Sequence, residues 1–252
     1  LTSLAAGVVF LFVAHHPFVP YDPDVASWHL DRAAAHMQKG ELNEAVAAYR
    51  AAVAAKPDWP DAHALLGSAL AAQGRFDQAV ASYRKGLQIN PQFAELHRRL
   101  GILLAHLNRH EEAVASLRAS LKISPENTEA LYNLGVSLLQ TGRHAEALDT
   151  FLRTTELDPG KTEARVNAGT ILLGQGRTDE ALRVLRRAVQ EKPNMFEARV
   201  NLGRAFAAAG DLRQAVEQYE FALSLRPGNP GVRRVLETLR ARQGQPAGVR
   251  DE

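Results

Sequence analysis

A period of 34 residues governs this chain. Proline recurs at 57, 91, 125, 159, 193 and 227 and alanine at 45, 79, 113, 147, 181 and 215, each step being 34. In the same register a small residue stands at 33, 67, 101, 135, 169 and 203, as Ala33 and then glycine. A turn residue stands at 40, 74, 108, 142, 176 and 210, as glycine except for Asn108. Four series in one phase define six tandem units, 26–59, 60–93, 94–127, 128–161, 162–195 and 196–229. A period of this length marks a stacked array, in which no unit buries its apolar face alone and its neighbours supply the rest of the core.

Each series has a mechanical reason. The residue at 40, 74 and onward ends a first helix in the left-handed conformation, which glycine or asparagine tolerates. Each proline stops a second helix, because its ring removes a donor and clashes with the preceding turn. The glycines from Gly67 to Gly203 and the alanines from Ala79 to Ala215 let the two helices of a unit approach closely. Small residues at 52, 86, 120, 154, 188 and 222 do the same against the next unit. Leu66, Leu100, Leu134 and Leu202 on first helices, and Tyr49, Tyr83, Leu117, Phe151, Leu185 and Tyr219 on second helices, fill the interior. Asp77, Glu111 and Asp179 suit the positive end of a helix dipole. Beyond the last unit, PGVRRVLETLRARQG (230–244) reads as a capping helix with Val232, Val235, Leu236 and Leu239 on its packed face, and 245–252 as a tail.

These spacings resemble the tetratricopeptide repeat family over residues 26–229, most closely in LYNLGVSLLQTGRHAEALDTFLRTTELDP (131–159). The resemblance implies an all-α fold: a right-handed α-solenoid superhelix of six 34-residue helix–turn–helix repeats plus a C-terminal capping helix. It implies a non-enzymatic protein–protein interaction scaffold with first helices lining a concave groove. The sixth position of each first helix, groove-facing in the family, holds Asp31, Leu65, Arg99, Asn133, Asn167 and Asn201. The last three form an asparagine ladder similar to that with which O-linked N-acetylglucosamine transferase repeats hold a peptide backbone. An amide offers both donor and acceptor to an extended chain of any sequence. Arg98, Tyr132, Gln140, Thr170 and Arg204 occupy neighbouring groove positions. The carboxylate-clamp variety of the family is not expected, since Leu30, Ala34 and Leu65 stand where it carries Lys and Asn, and Arg99 alone matches. Arg32 and His36 replace bulky apolar residues of the pattern, which implies that the first repeat is an exposed end.

Two further rows read as structural. Asp61, Glu95, Glu129, Glu163 and Glu197 begin successive first helices as dipole complements. His29, His63 and His97 recur one unit apart, spaced by roughly a helix-packing distance of 10 Å, too far to share a metal; a packing role is expected. No cofactor or metal is expected. The absence of cysteine excludes disulfides, zinc knuckles, iron–sulfur clusters and a thiol nucleophile. A net charge of +2 with dispersed basic residues, and 6% aromatics, provide no nucleic-acid footprint. Neither a phosphate loop nor a nucleophile elbow occurs, so neither catalysis nor a small-molecule substrate is expected.

The N-terminus is of another kind. Residues 1–21 carry no Asp, Glu, Lys or Arg, and Leu4 to Ala14 is unbrokenly apolar. A bilayer span takes about 20 such residues, so residues upstream of Leu1 are expected to complete a helix. Pro17, Pro20 and Pro23 then break it. We read 1–25 as a membrane anchor and proline-rich linker, with residues 1–20 as the membrane contact. The repeats are then expected on the periplasmic side of a bacterial membrane, the cytoplasmic face being the alternative. A signal peptide, which Phe12 suits poorly as a cleavage-site residue, and a docking arm are the other readings. His15 and His16 mark the polar edge of this segment. The expected function is a tethered scaffold binding one or more partner proteins. The alternatives are a subunit of a larger membrane complex (respiratory, photosynthetic, secretion or envelope biogenesis) and the C-terminal repeat domain of a longer polytopic membrane enzyme.

Overall fold

A computed structural model describes residues 24–244, which form thirteen α-helices with no strand among the described residues. They fall into two compact units divided after Ile89. The first holds α1 (Val25–Lys39), α2 (Leu42–Ala55), α3 (Pro60–Ala72) and α4 (Phe76–Ile89). The second holds α5 (Ala94–His106), α6 (His110–Ile123), α7 (Thr128–Gln140), α8 (His144–Leu157) and α9 (Thr162–Gly174). It continues with α10 (Thr178–Glu191), α11 (Phe196–Ala208), α12 (Leu212–Leu225) and α13 (Pro230–Gly244). Odd-numbered helices from α1 to α11 are the first helices of the repeats and even-numbered ones the second. The chain is the all-α solenoid of helical repeats that its period predicts.

The turns form as the turn residues require. Gly74 has φ 74° and Asn108 φ 58°, as Gly40, Gly142, Gly176 and Gly210 do at their own joints within a few degrees of 74–82°. The left-handed residue lets the next amide reach back over the helix end: Arg75 N donates to Leu70 O and Arg109 N to Leu104 O, both at 2.9 Å. These bonds satisfy carbonyls that the helix end would otherwise orphan. Each second helix stops two residues before its proline, as α8 does at Leu157 ahead of Pro159.

Packing inside a repeat follows one rule, a glycine on the first helix against the large side chain sixteen positions on. A β-carbon on Gly135 would lie 2.7 Å from the Phe151 ring, and one on Gly67 2.5 Å from Tyr83. Gly101 faces Leu117, Gly169 faces Leu185 and Gly203 faces Tyr219 in the same way. Phe151, Leu117 and Leu185 are fully buried. The small residues at 52, 120, 154, 188 and 222 are buried too, and Ser120 Oγ donates to Ala94 O at 2.9 Å.

Both ends of the described region differ from the interior. On α1 only Ala26 and Ala33 are buried, while Val25 and Trp28 are exposed and Arg32 lies 5.5 Å over the Trp28 ring. At the other end α13 packs on α12 through buried Val232, Leu236 and Leu239. Val235, expected on that face, is 39% exposed. The three buried residues at i, i+4 and i+7 define a narrow arc, and position i+3 lies at its margin. The apolar N-terminal segment and the C-terminal tail lie outside the described residues, and the anchor, signal-peptide and docking-arm readings with them. Among the described residues no helix is long and apolar enough to cross a membrane.

Candidate peptide-binding face

The three ladder asparagines and the neighbouring residues Arg98, Arg99, Tyr132, Gln140, Thr170 and Arg204 all lie in the second compact unit. Its first helices form a layer, with α5 against α7 and α9 against α11. Lys161 Nζ sits 4.9 Å over the ring of Tyr132 on α7. Burial foremost, then the Glu163 charge, raises the Tyr132 pKa against a smaller opposing influence of Asn167 on α9, so the phenol is held in its neutral form.

The three ladder amides are half-buried rather than facing open solvent. Asn133 Nδ2 donates to Glu129 O at 2.8 Å and Asn201 Nδ2 to Glu197 O at 2.9 Å, each one turn back in its own helix. One N–H is thereby fixed, which sets the plane of the amide; the second N–H and the Asn133 carbonyl oxygen remain for other partners, while Asn201 Oδ1 already accepts one hydrogen bond. Arg204 Nη1 approaches Asn201 Oδ1 at 3.3 Å. Thr170 Oγ1 donates to Val166 O at 2.8 Å, and Gln140 is exposed.

Arg98 and Arg99 are engaged within the layer. Arg98 makes a two-pronged pair with Glu95 at 2.6 and 2.8 Å and reaches Glu129 on α7 as well. Arg99 Nε lies 2.7 Å from Glu95. The hydrogen bond from Arg98 holds the Glu95 carboxyl below its ordinary pKa, and the same bond raises Arg98. Arg98 therefore works as a strut between α5 and α7. Glu163 pairs with Lys192 at 2.8 Å and Glu197 with Arg226 at 2.9 Å. The carboxylates of the row thus lie in first helical turns, as expected, and those in this unit also have cationic partners. Among the described residues no cluster of three metal-ligating side chains forms.

Within the histidine row, His63 is buried, and both it and His97 also carry a backbone hydrogen bond. His63 Nε2 donates to Pro57 O at 2.8 Å and His97 Nε2 to Pro91 O at 2.9 Å. Arg165, Arg199 and Arg233, at the same repeat position, donate to Pro159, Pro193 and Pro227 carbonyls at 2.6, 2.9 and 2.9 Å. At these five positions the fourth residue is thus a clamp that ties its helix to the turn it emerged from. Leu131 holds this position in the fourth repeat, and Arg153 supplies the bond to Pro125 O at 3.0 Å from elsewhere. Arg165 is the most deeply set of these: only 4% exposed, it also pairs with Glu191, and burial lowers its pKa.

Glycine-packed helix pairs, left-handed turns and a first-helix layer bearing a row of amides define a tetratricopeptide-repeat protein. Residues 18–237 match the family model described as the Cilia and flagella-associated protein 70 C-terminal domain, and the chain belongs to that tetratricopeptide-repeat family. Among curated proteins none matches significantly. The fold is similar to YrrB, described as a TPR protein with an unusual peptide-binding site, at TM-score 0.68 and 23% identity, covering 75% of this chain and 97% of that one. It is similar to PilF of Pseudomonas aeruginosa at TM-score 0.70 and 20% identity, covering 85% and 98%. PilW, described as a widely conserved type IV pilus biogenesis factor, aligns at TM-score 0.67 and 20% identity, covering 84% and 98%. Proteins of this fold generally serve as non-enzymatic interaction scaffolds.

Proposed function

We propose that the chain captures an extended segment of a partner protein on the first-helix layer of α7, α9 and α11, by main-chain pairing to Asn133, Asn167 and Asn201. The observation that carries this reading is the orientation of the amides. Asn133 and Asn201 are each pinned by one bond to their own helix at 2.8–2.9 Å, one repeat apart from Asn167 on either side. A pinned amide loses little rotamer freedom when it binds, so more of each new hydrogen bond is retained. The peptide-binding site named for YrrB supports a peptide as the partner class. The uncharged run in residues 1–21 supports a membrane tether for the scaffold.

The test is a selection of octapeptides displayed against the full chain in detergent, followed by Asn133→Ala/Asn167→Ala/Asn201→Ala. Each neutral hydrogen bond contributes about 1 kcal/mol, so the triple variant weakens binding by roughly 3 kcal/mol while its helical signal is retained. Undiminished affinity in a folded triple variant sinks this reading.

A second reading, a permanent subunit of a larger envelope complex, draws on the same apolar segment and on the role named for PilW. Stoichiometric co-purification with membrane subunits, unaffected by the triple variant, selects it.

A further inference from the structure

At the C-terminal ends of α7 and α9 the layer opens into a cavity of about 340 Å³, lined by Leu139, His144, Thr170, Ile171, Gly174 and Gln175. Leu139 and Ile171 are its apolar walls; Thr170 Oγ1 is already bonded to Val166 O, Gln175 Oε1 accepts from Arg177 Nη1 at 3.2 Å, and His144 is the other polar side chain in the lining. Gly174 creates much of the space. It has no positive φ, and a β-carbon there would meet nothing within 4 Å. Neither a turn nor a close helix contact requires glycine at this position, and glycine is a poor residue in a helix. The equivalent positions in the other repeats carry Gln38, Ala72, His106, Gln140 and Ala208.

The cavity continues the face that bears the amides. Asn167, Thr170 and Gly174 stand at i, i+3 and i+7 of α9, one stripe along the helix. A chain paired to the Asn133 and Asn167 amides passes within a side chain's reach of the opening, since seven residues of helix span about 10 Å. A mostly apolar lining with no carboxylate, lysine or arginine favours a hydrocarbon or aromatic side chain over a charged one, because a buried charge here would find no opposite charge.

We propose that this cavity takes one apolar side chain, of leucine, methionine or phenylalanine size, from the segment held by the amides. The partner class is then an extended peptide with a single apolar anchor, and the inference rests on the peptide-capture reading above. In Gly174→Leu the new β-carbon meets nothing within 4 Å, and the side chain beyond it occupies the cavity from the protein's own side. Leu139→Asn makes one wall polar.

The test is the same octapeptide selection, run on the full chain and on both variants, with thermal midpoints recorded alongside. Expected is enrichment of Leu, Met or Phe at one fixed peptide position. For a peptide so selected, Gly174→Leu is expected to weaken binding roughly 10- to 100-fold at an unchanged or raised midpoint, the range corresponding to loss of one buried apolar side chain. Methyl and amide NMR shifts at Ile171 and Gly174 on titration with that peptide locate the anchor. Peptides enriched without a fixed apolar position, or binding indifferent to Gly174→Leu and Leu139→Asn, overturn the cavity assignment and leave the amide reading standing. No enriched peptide at all overturns both.

Discussion

One methyl group at Gly135 tests how the helix pairs are held. A β-carbon there would stand 2.7–2.9 Å from three atoms of the Phe151 ring. Ordinary carbon contacts are about 3.5–4.0 Å, so ring or helix must give by roughly 0.8 Å. Phe151 is fully buried. Overpacking of this kind costs about 1–3 kcal/mol, and replacing a helical glycine by alanine returns about 1 kcal/mol. Gly135→Ala should therefore lose about 1 kcal/mol net. The same change at Gly203, where Tyr219 would lie 3.0–3.2 Å away, should be near neutral. Urea unfolding followed by far-UV circular dichroism measures both. In a Phe151→Val background the methyl group has room, so Gly135→Ala should become neutral or stabilising, a coupling on the order of 1 kcal/mol. A Gly135→Ala variant as stable as wild type, or strictly additive with Phe151→Val, would refute the claim that the ring limits this approach.

Other outcomes follow from the same geometry. Glu191→Ala leaves the buried Arg165 guanidinium without its carboxylate and should cost about 1–3 kcal/mol in urea unfolding, with little relief from added salt. His97→Arg should be tolerated and His97→Leu should lose about 1 kcal/mol, because only the former can still donate to Pro91 O. The Glu95 carboxyl sits below its ordinary pKa through Arg98, so its pairing stabilises above the unfolded value of about 4.3 and is lost as pH falls through the folded one. Glu95→Gln should therefore flatten the fall of the urea midpoint on acidification below about pH 4.5, the same unfolded range. An equally steep fall in that variant would place the acid sensitivity elsewhere.

What could be read from the sequence was whatever the period fixes. Gly135 and Phe151 recur in register with their counterparts, so their contact is implied by the spacing alone, and Asn108 betrays the left-handed turn by replacing glycine. The clamp of His97 onto Pro91 O was hidden because its acceptor is a backbone carbonyl, which every residue possesses and no letter marks. The run of arginines at 165, 199 and 233 in the histidine series was the available signal. Arg98 was legible as a residue on the first-helix face but not as a strut, since its tie to Glu129 depends on how two helices of different repeats are set side by side. The cavity beside Gly174 was not legible, because a glycine in a last helical turn has the same look as an ordinary helix end.

The clamps have a consequence for how the chain is made. Arg165, Arg199 and Arg233 each reach back only six positions, and each glycine meets its large partner sixteen positions on. Even the side-chain bridge from Gln73 to Leu42 closes within 31 positions. Every such bond can therefore form within about one repeat of newly made chain, and loops this short close at small entropic cost. A nascent chain leaving the ribosome should be able to lock each joint before the next repeat is translated. Deleting or duplicating one 34-residue block inside the second compact unit should leave the remaining joints to close as before.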